Sequence, residues 1–209
     1  MISVDSIILL SVISFLIILL VFTPEILLAQ NLDVDILKRI NPTCPDSLYW
    51  LQVSTSVYWA PTIPAIIYFG YVFFRRNIQV RCRGLKFLLS IGFSQLITEV
   101  LKIIVNRERP ADRYPYEIFV SSTTHDGSFP SGHTSAAFAT ATILVLENEK
   151  WYIAVPAYLW AGSVAYSRMY LGKHYPSDVM GGVMIGIVSA YLSRWLTKKL
   201  FKDKKSTNV

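Results

Sequence analysis

Three short stretches hold the residues of this sequence that could do chemistry: KIIVNRERP from Lys102 to Pro110, PSGH from Pro130 to His133, and SRMYLGKHYPSD from Ser167 to Asp178. Lys102, Arg109 and Arg168 offer converging positive charge, and a guanidinium fork matches a tetrahedral oxyanion in bidentate fashion. Pro130 suits the first position of a helix, which leaves the backbone amides of Ser131, Gly132 and His133 unpaired at an N-terminus that favours anions. Gly132 also lets a ligand come close to the backbone. Cations and helix amides together make a phosphate cradle.

Two histidines beside such a cradle invite a nucleophile and an acid. Asp178 follows His174 by four residues with Pro176 between them, so a helix that starts near Pro176 brings the carboxylate toward the imidazole. A carboxylate that takes the Nδ1 proton fixes the tautomer and leaves Nε2 of His174 free to attack phosphorus. His133 is then left to protonate the departing oxygen. His125, in TTHDGS, has no such company and reads as structural. A metal held by His133, His174 and Asp178 is the rival reading. Three cations aimed at the same point would repel a divalent ion, so neither a metal nor another cofactor is expected.

These residues need elements that gather them. With 53% hydrophobic and 13% aromatic residues, the 209-residue chain has more apolar side chain than a water-soluble domain of its length buries easily. A bilayer span takes roughly 20 mostly apolar residues. Six stretches qualify, at about 6 to 28, 53 to 74, 84 to 105, 131 to 147, 152 to 170 and 177 to 197. The expectation is an all-α bundle of six transmembrane helices, a single domain over 1–209. The first stretch, SIILLSVISFLIILLVF, could serve as the apolar part of a signal peptide. No basic segment precedes it and Thr23, Pro24 and Glu25 follow, so it reads as a retained helix.

Pro61 and Pro64 should kink the second stretch. Ser135, Ala136, Ala137, Ala139, Thr140, Ala141 and Thr142 crowd the fourth, and Gly182 and Gly186 form a small-xxx-small pair in the sixth, patterns that favour close helix packing. Gln95, Glu99 and Lys102 share one face of the third, where Lys102 either snorkels or pairs with Glu99. The segment NLDVDILKRI, with Leu32, Val34, Ile36, Leu37 and Ile40 among charges, fits a short interfacial helix or an ordered loop. The tail KDKKSTNV is the candidate for disorder.

Basic residues set the orientation. Arg75, Arg76, Arg81, Arg83 and Lys86 follow the second stretch, and Lys198, Lys199, Lys202, Lys204 and Lys205 follow the sixth, which places both segments in the cytoplasm. The loops at about 29 to 52, 106 to 130 and 171 to 176 then face outward, and with them all three chemical stretches. The net charge of +6 reads as this topological bias rather than as nucleic-acid binding. Cys44 outside and Cys82 inside could not be bridged.

The three stretches resemble, position for position, the signature of the type 2 phosphatidic acid phosphatase and vanadium haloperoxidase superfamily: K-x6-RP, PSGH and SR-x5-H-x3-D. The resemblance covers residues 102 to 178, and six spans extend it to the integral-membrane lipid phosphatases. It implies that His174 forms a phosphohistidine, that Asp178 is its partner and His133 the general acid, and that Lys102, Arg109, Ser131, Gly132 and Arg168 bind the phosphoryl oxygens without a metal. A haloperoxidase fits poorly, because those relatives are soluble. A non-catalytic lipid-binding protein would be free to lose members of the set, and none is lost here.

The expected activity is hydrolysis of a lipid phosphate at the outer face of a bacterial inner or plasma membrane. Undecaprenyl diphosphate, phosphatidylglycerol phosphate, phosphatidic acid and the phosphate of lipid A are the candidate substrates. A prenyl diphosphate is slightly favoured, since Lys102, Arg107, Arg109, Arg113, Arg168 and Lys173 could hold its extra charge. Headgroup choice falls to loops 29–52 and 111–129, and the sequence carries no signal for an oligomeric state.

Overall fold

The computed structural model describes residues 14, 30–41, 70, 78–120 and 126–206. Most of the first two apolar stretches, with Pro61, Pro64, Arg75, Arg76, Cys44 and His125, lies outside the described residues. All regular structure among the described residues is helical: α1 (Gln30–Ile40), α2 (Ile78–Val105), α3 (Pro110–Arg113), α4 (Gly132–Asn148), α5 (Trp151–Tyr170) and α6 (Pro176–Ser206).

The last four expected spans each coincide with a helix, α2, α4, α5 and α6. Two described segments are long and apolar enough to cross a membrane, Val80–Arg113 and Pro176–Phe201. The expected count of six spans therefore exceeds what the described residues carry by length and composition. Two of the six lie mostly outside the described residues; of the others, α4 has 17 residues, about 26 Å of helix, and is rich in Ser and Thr, while Tyr and Trp dilute the apolar content of α5. At the far end, α6 runs through Ser206, into the tail read as disordered.

α4 is the centre of the bundle and packs on α2, α5 and α6, while α2 also packs on α6. The close approach of α4 and α6 depends on the glycine pair seen in the sequence. A Cβ on Gly186 would fall 2.5 Å from the Ser135 carbonyl oxygen and 2.7 Å from the Ala139 nitrogen, and one on Gly182 would fall 2.7 Å from the Ser131 carbonyl oxygen. Between α2 and α4 runs a seam of buried hydroxyls at i, i+4, i+8. Ser90 donates to the Ala139 carbonyl at 3.2 Å, Ser94 to Ser135 Oγ at 3.3 Å, and Thr98 Oγ1 lies 3.0 Å from Ser135 Oγ. Such bonds hold helices together where apolar burial alone gives no preference for protein over lipid.

At one end of the bundle, Lys86 pairs with both oxygens of Glu147 at 2.8 and 2.9 Å. At the other end the connections gather. α2 stops at Asn106, whose φ of 41° is left-handed, a conformation Asn tolerates. α5 turns into α6 through Gly172 at φ +65°, where a Cβ would sit 2.3 Å from the Phe119 carbonyl oxygen. α1 lies across this end against α5 and α6. Of the two readings of NLDVDILKRI, the helix is therefore the one formed. Its inner face is Asp33, Val34, Leu37 and Asn41, all buried, while Leu32 and Ile36 are exposed. Val34 and Leu37 pack with Ile118 and Tyr175, and Asn41 ties three segments by donating to the Phe119 and Tyr170 carbonyls and accepting from the Phe119 amide.

Candidate active site

The helix ends bring the three chemical stretches together at the end of the bundle where α1 lies. Lys102 leaves the last turn of α2, Arg109 precedes α3, Ser131 caps α4 with Gly132 and His133 in its first turn, and Arg168 closes α5. His174 sits in the turn before α6, and Asp178 in the first turn of α6, which begins at Pro176 as the spacing indicates. Hydrogen bonds bind these ends to one another. The Ser131 amide donates to the Asp178 carbonyl at 3.0 Å, and the Lys173 amide to the Arg168 carbonyl at 3.1 Å.

His174 is 3% exposed, and its Nδ1 lies 2.8 Å from the backbone carbonyl of Ser128. Asp178 Oδ2 is 3.8 Å from that nitrogen, too far for a hydrogen bond. The Nδ1 partner is therefore the Ser128 carbonyl and not the carboxylate. The tautomer comes out the same, because a carbonyl only accepts: Nδ1 carries the proton and Nε2 keeps its lone pair. Burial pushes the His174 imidazole below its ordinary 6.5, against the opposing pull of Asp178 and the Ser128 carbonyl. The neutral ring, which is the nucleophilic form, is the stable one.

Asp178 is fully buried and its oxygens are taken by other donors. Oδ2 accepts from Ser128 Oγ at 2.5 Å and from the Tyr175 amide at 2.9 Å, while Oδ1 accepts from Arg107 at 2.6 Å. The carboxylate thus holds Ser128, whose carbonyl in turn holds His174. Arg107 reaches further, donating to Ser177 Oγ at 2.7 Å and to Asp33 of α1 at 2.9 Å, with its guanidinium 4.0 Å from the centre of the Tyr175 ring. The Ser177 hydroxyl and amide also donate to Asp33. Arg107 was grouped above with the cations available to a diphosphate, and the structure corrects that: it is 5% exposed and bound to two buried carboxylates.

The cradle differs from expectation in detail. The amide of Ser131 is bonded to α6, so Gly132 and His133, with Thr134, are the residues whose first-turn amides lack a partner within the helix. A Cβ on Gly132 would make ordinary contact with Thr98 Cγ2 at 3.5 Å. Its bare Cα thus faces α2, and packing alone does not demand glycine. Arg168 is 1% exposed with Nε 3.2 Å from Ser167 Oγ. His133 lies within the fields of Arg168, His174, Lys173 and Lys102, so both histidines share one cationic pocket. Lys102 pairs with Glu99 at 3.5 Å, as one reading of that helix face had it, and with Asp126 at 2.5 Å.

Sequence reasoning passed over Asp33, Ser128 and Asp126. Asp33 had a usable signal, a lone carboxylate on the same face as Leu37 and Asn41. Ser128 meets His174 through its carbonyl and Asp178 through its hydroxyl, and Asp126 sits in a polar loop, so a serine and an aspartate outside the three stretches gave no sign of either contact.

Comparison with known proteins shows the family and the fold. The model of the PAP2 superfamily matches residues 83–202. The lipid A 4'-phosphatase of Bacteroides thetaiotaomicron is 29% identical over 73% of this chain and 70% of its own length. The undecaprenyl-diphosphatase of Sulfolobus acidocaldarius is 28% identical over 78% of this chain and 79% of its own. The crystal structure of the transmembrane PAP2 type phosphatidylglycerolphosphate phosphatase from Bacillus subtilis matches with a TM-score of 0.71 and 26% identity, over 90% of this chain and 96% of that one. On the family match, the shared helical fold and the gathered signature residues, this chain belongs to the PAP2 superfamily, as an integral-membrane phosphate ester hydrolase.

Proposed function

We propose that the protein removes phosphate from a membrane lipid at the extracytoplasmic face, through a phosphohistidine formed on His174. The observation that carries this reading is the buried His174 with Nδ1 held by the Ser128 carbonyl, which leaves an unprotonated Nε2 on a ring that lies in the field of Arg109. Nε2 forms a bond to phosphorus as the bond from phosphorus to the lipid oxygen breaks. His133 hands its proton to that departing oxygen, the bound phosphate offsetting the positive charge of Arg168, Lys173 and Lys102 around the ring. Water, giving its proton back to His133, then attacks phosphorus. The P–N bond breaks, and phosphate leaves with His174 neutral again. Lys102, Arg109, Arg168 and the amides of Gly132 and His133 hold the phosphoryl oxygens as charge builds on them.

A site at the ends of membrane helices lets a lipid keep its tails in the bilayer while its phosphate reaches His174. Each methylene kept in an apolar environment contributes about 0.8 kcal/mol. Among lipids, a prenyl diphosphate is the first candidate. Its leaving group is a stabilised phosphate monoester, and Lys173, half-buried beside Arg109 and Arg168, adds a cation to the cradle. The relative from Sulfolobus acidocaldarius carries that substrate in its name. Phosphate release from matched micelles of undecaprenyl diphosphate, phosphatidylglycerol phosphate, phosphatidic acid and lipid A tests the assignment. The prenyl diphosphate should be fastest, and all long-chain lipids should exceed short water-soluble esters in kcat/KM. A faster phosphatidylglycerol phosphate would remove the prenyl assignment, and preference for short soluble esters would remove the lipid reading itself.

A further inference from the structure

In the described structure the phosphate cradle is not empty of negative charge. Asp126 Oδ2 lies 2.5 Å from Lys102 Nζ and Oδ1 lies 2.7 Å from Arg109 Nη2, so one carboxylate bridges two of the cations assigned to phosphate. The partners are unequal in depth. The Lys102 and Arg109 side chains are 12% and 9% exposed, whereas that of Asp126 is 48% exposed, at the mouth of the site. Arg109 is held in place without the carboxylate, since Nε donates to the Asp126 carbonyl and Nη1 to the Lys173 carbonyl, both at 3.0 Å. Nη2 is the arm that the carboxylate takes, and the one left to turn to another anion.

We propose that Asp126 is a built-in competitor for the phosphate site: its carboxylate stands where phosphoryl oxygens bind, is displaced by the entering lipid phosphate, and sets how tightly the site takes phosphate. Two cations converging on an unoccupied site would repel each other, and a resident carboxylate removes that repulsion while the site waits. Displacement then exchanges one pair of charge-assisted bonds for another, so substrate and product bind less tightly than the bare cations would allow. A phosphatase gains from this, because inorganic phosphate has to leave. Burial raises the Asp126 carboxyl, but Lys102 and Arg109 outweigh it and hold the group well below the usual carboxylate range, so the competitor is charged wherever the enzyme works.

This inference rests on reading the site as a phosphate cradle, and the experiment separates the two. Inhibition by inorganic phosphate is measured on the full-length protein in detergent, for wild type, Asp126→Asn and Asp126→Glu. With the competing charge gone, Asp126→Asn should bind phosphate about tenfold more tightly and show a lower KM, with kcat near or below wild type as product release slows. Asp126→Glu should stay close to wild type. A purely structural Asp126 would give the opposite sign, weaker phosphate binding, and unchanged or weaker inhibition in an active Asp126→Asn overturns the proposal alone. If Asp126→Asn does not fold, Asp126→Ser makes the same measurement, and failure of both to fold also overturns it. Undiminished turnover in His174→Ala would instead fell the phosphatase mechanism and leave the Asp126 result standing.

Discussion

Arg107 and Arg109 stand two residues apart in one signature stretch, yet they serve opposite partners. Arg109 donates to the half-exposed Asp126 carboxylate and to the Lys173 carbonyl, whereas Arg107 is buried between Asp33 and Asp178 and fixes the carboxylate that holds Ser128 and, through it, His174. Removing one side of such a buried set leaves the other charges uncompensated. Arg107→Met should therefore cost about 3–5 kcal/mol of stability and lower kcat far more than it raises KM, read from thermal melting and steady-state kinetics. An Arg107→Met protein that is fully stable, with KM raised and kcat intact, would show Arg107 to be a phosphate ligand after all. That the signature cations and histidines gather at one end of the bundle was legible, because such residue types are costly at membrane depth and call for company. The contacts of Asp33 were not, because they join residues as far apart in sequence as Asp33 and Ser177, and only the fold brings those together.

Helix positions were largely legible, since apolar runs bounded by Pro, Asn and Gly mark α4 and α5 within a residue or so, whereas α2 starts six residues before its expected span and α6 runs nine residues past its own. Two features were not. The start of α4 lies at Gly132, with Ser131 still extended and its amide spent on α6. The register of α1 also escaped, because period alone selected the exposed Leu32 and Ile36 beside the buried Val34 and Leu37. The glycine pair of α6 was read correctly as a packing device and offers a direct test. Gly186→Ala puts a methyl group against the backbone of α4 and should cost about 1–3 kcal/mol, whereas Gly162→Ala on α5, where a Cβ meets nothing within 4 Å, should be near neutral. Thermal melting of the two variants in one detergent makes the comparison, and equal stability would mean that α4 and α6 do not approach as closely as described.

At the scale of the whole molecule, a short amphipathic helix closes one end of a helical bundle, and the catalytic candidates lie beneath it. α1 precedes the segment matched by the family model, yet Asp33 enters the same hydrogen-bonded set as Asp178, so the site draws on the chain beyond residues 83–202. All of this arrangement serves one claim, that His174 attacks phosphorus and carries the phosphoryl group. The direct measurement is to mix the purified protein with a lipid phosphate labelled with 32P in the group to be removed, quench with alkaline detergent within one turnover, and locate the label by peptide mapping. The account predicts alkali-stable, acid-labile label on the peptide that contains His174, and none in His174→Ala. Label on any other residue, or wild-type turnover that passes no label to the protein, would contradict it.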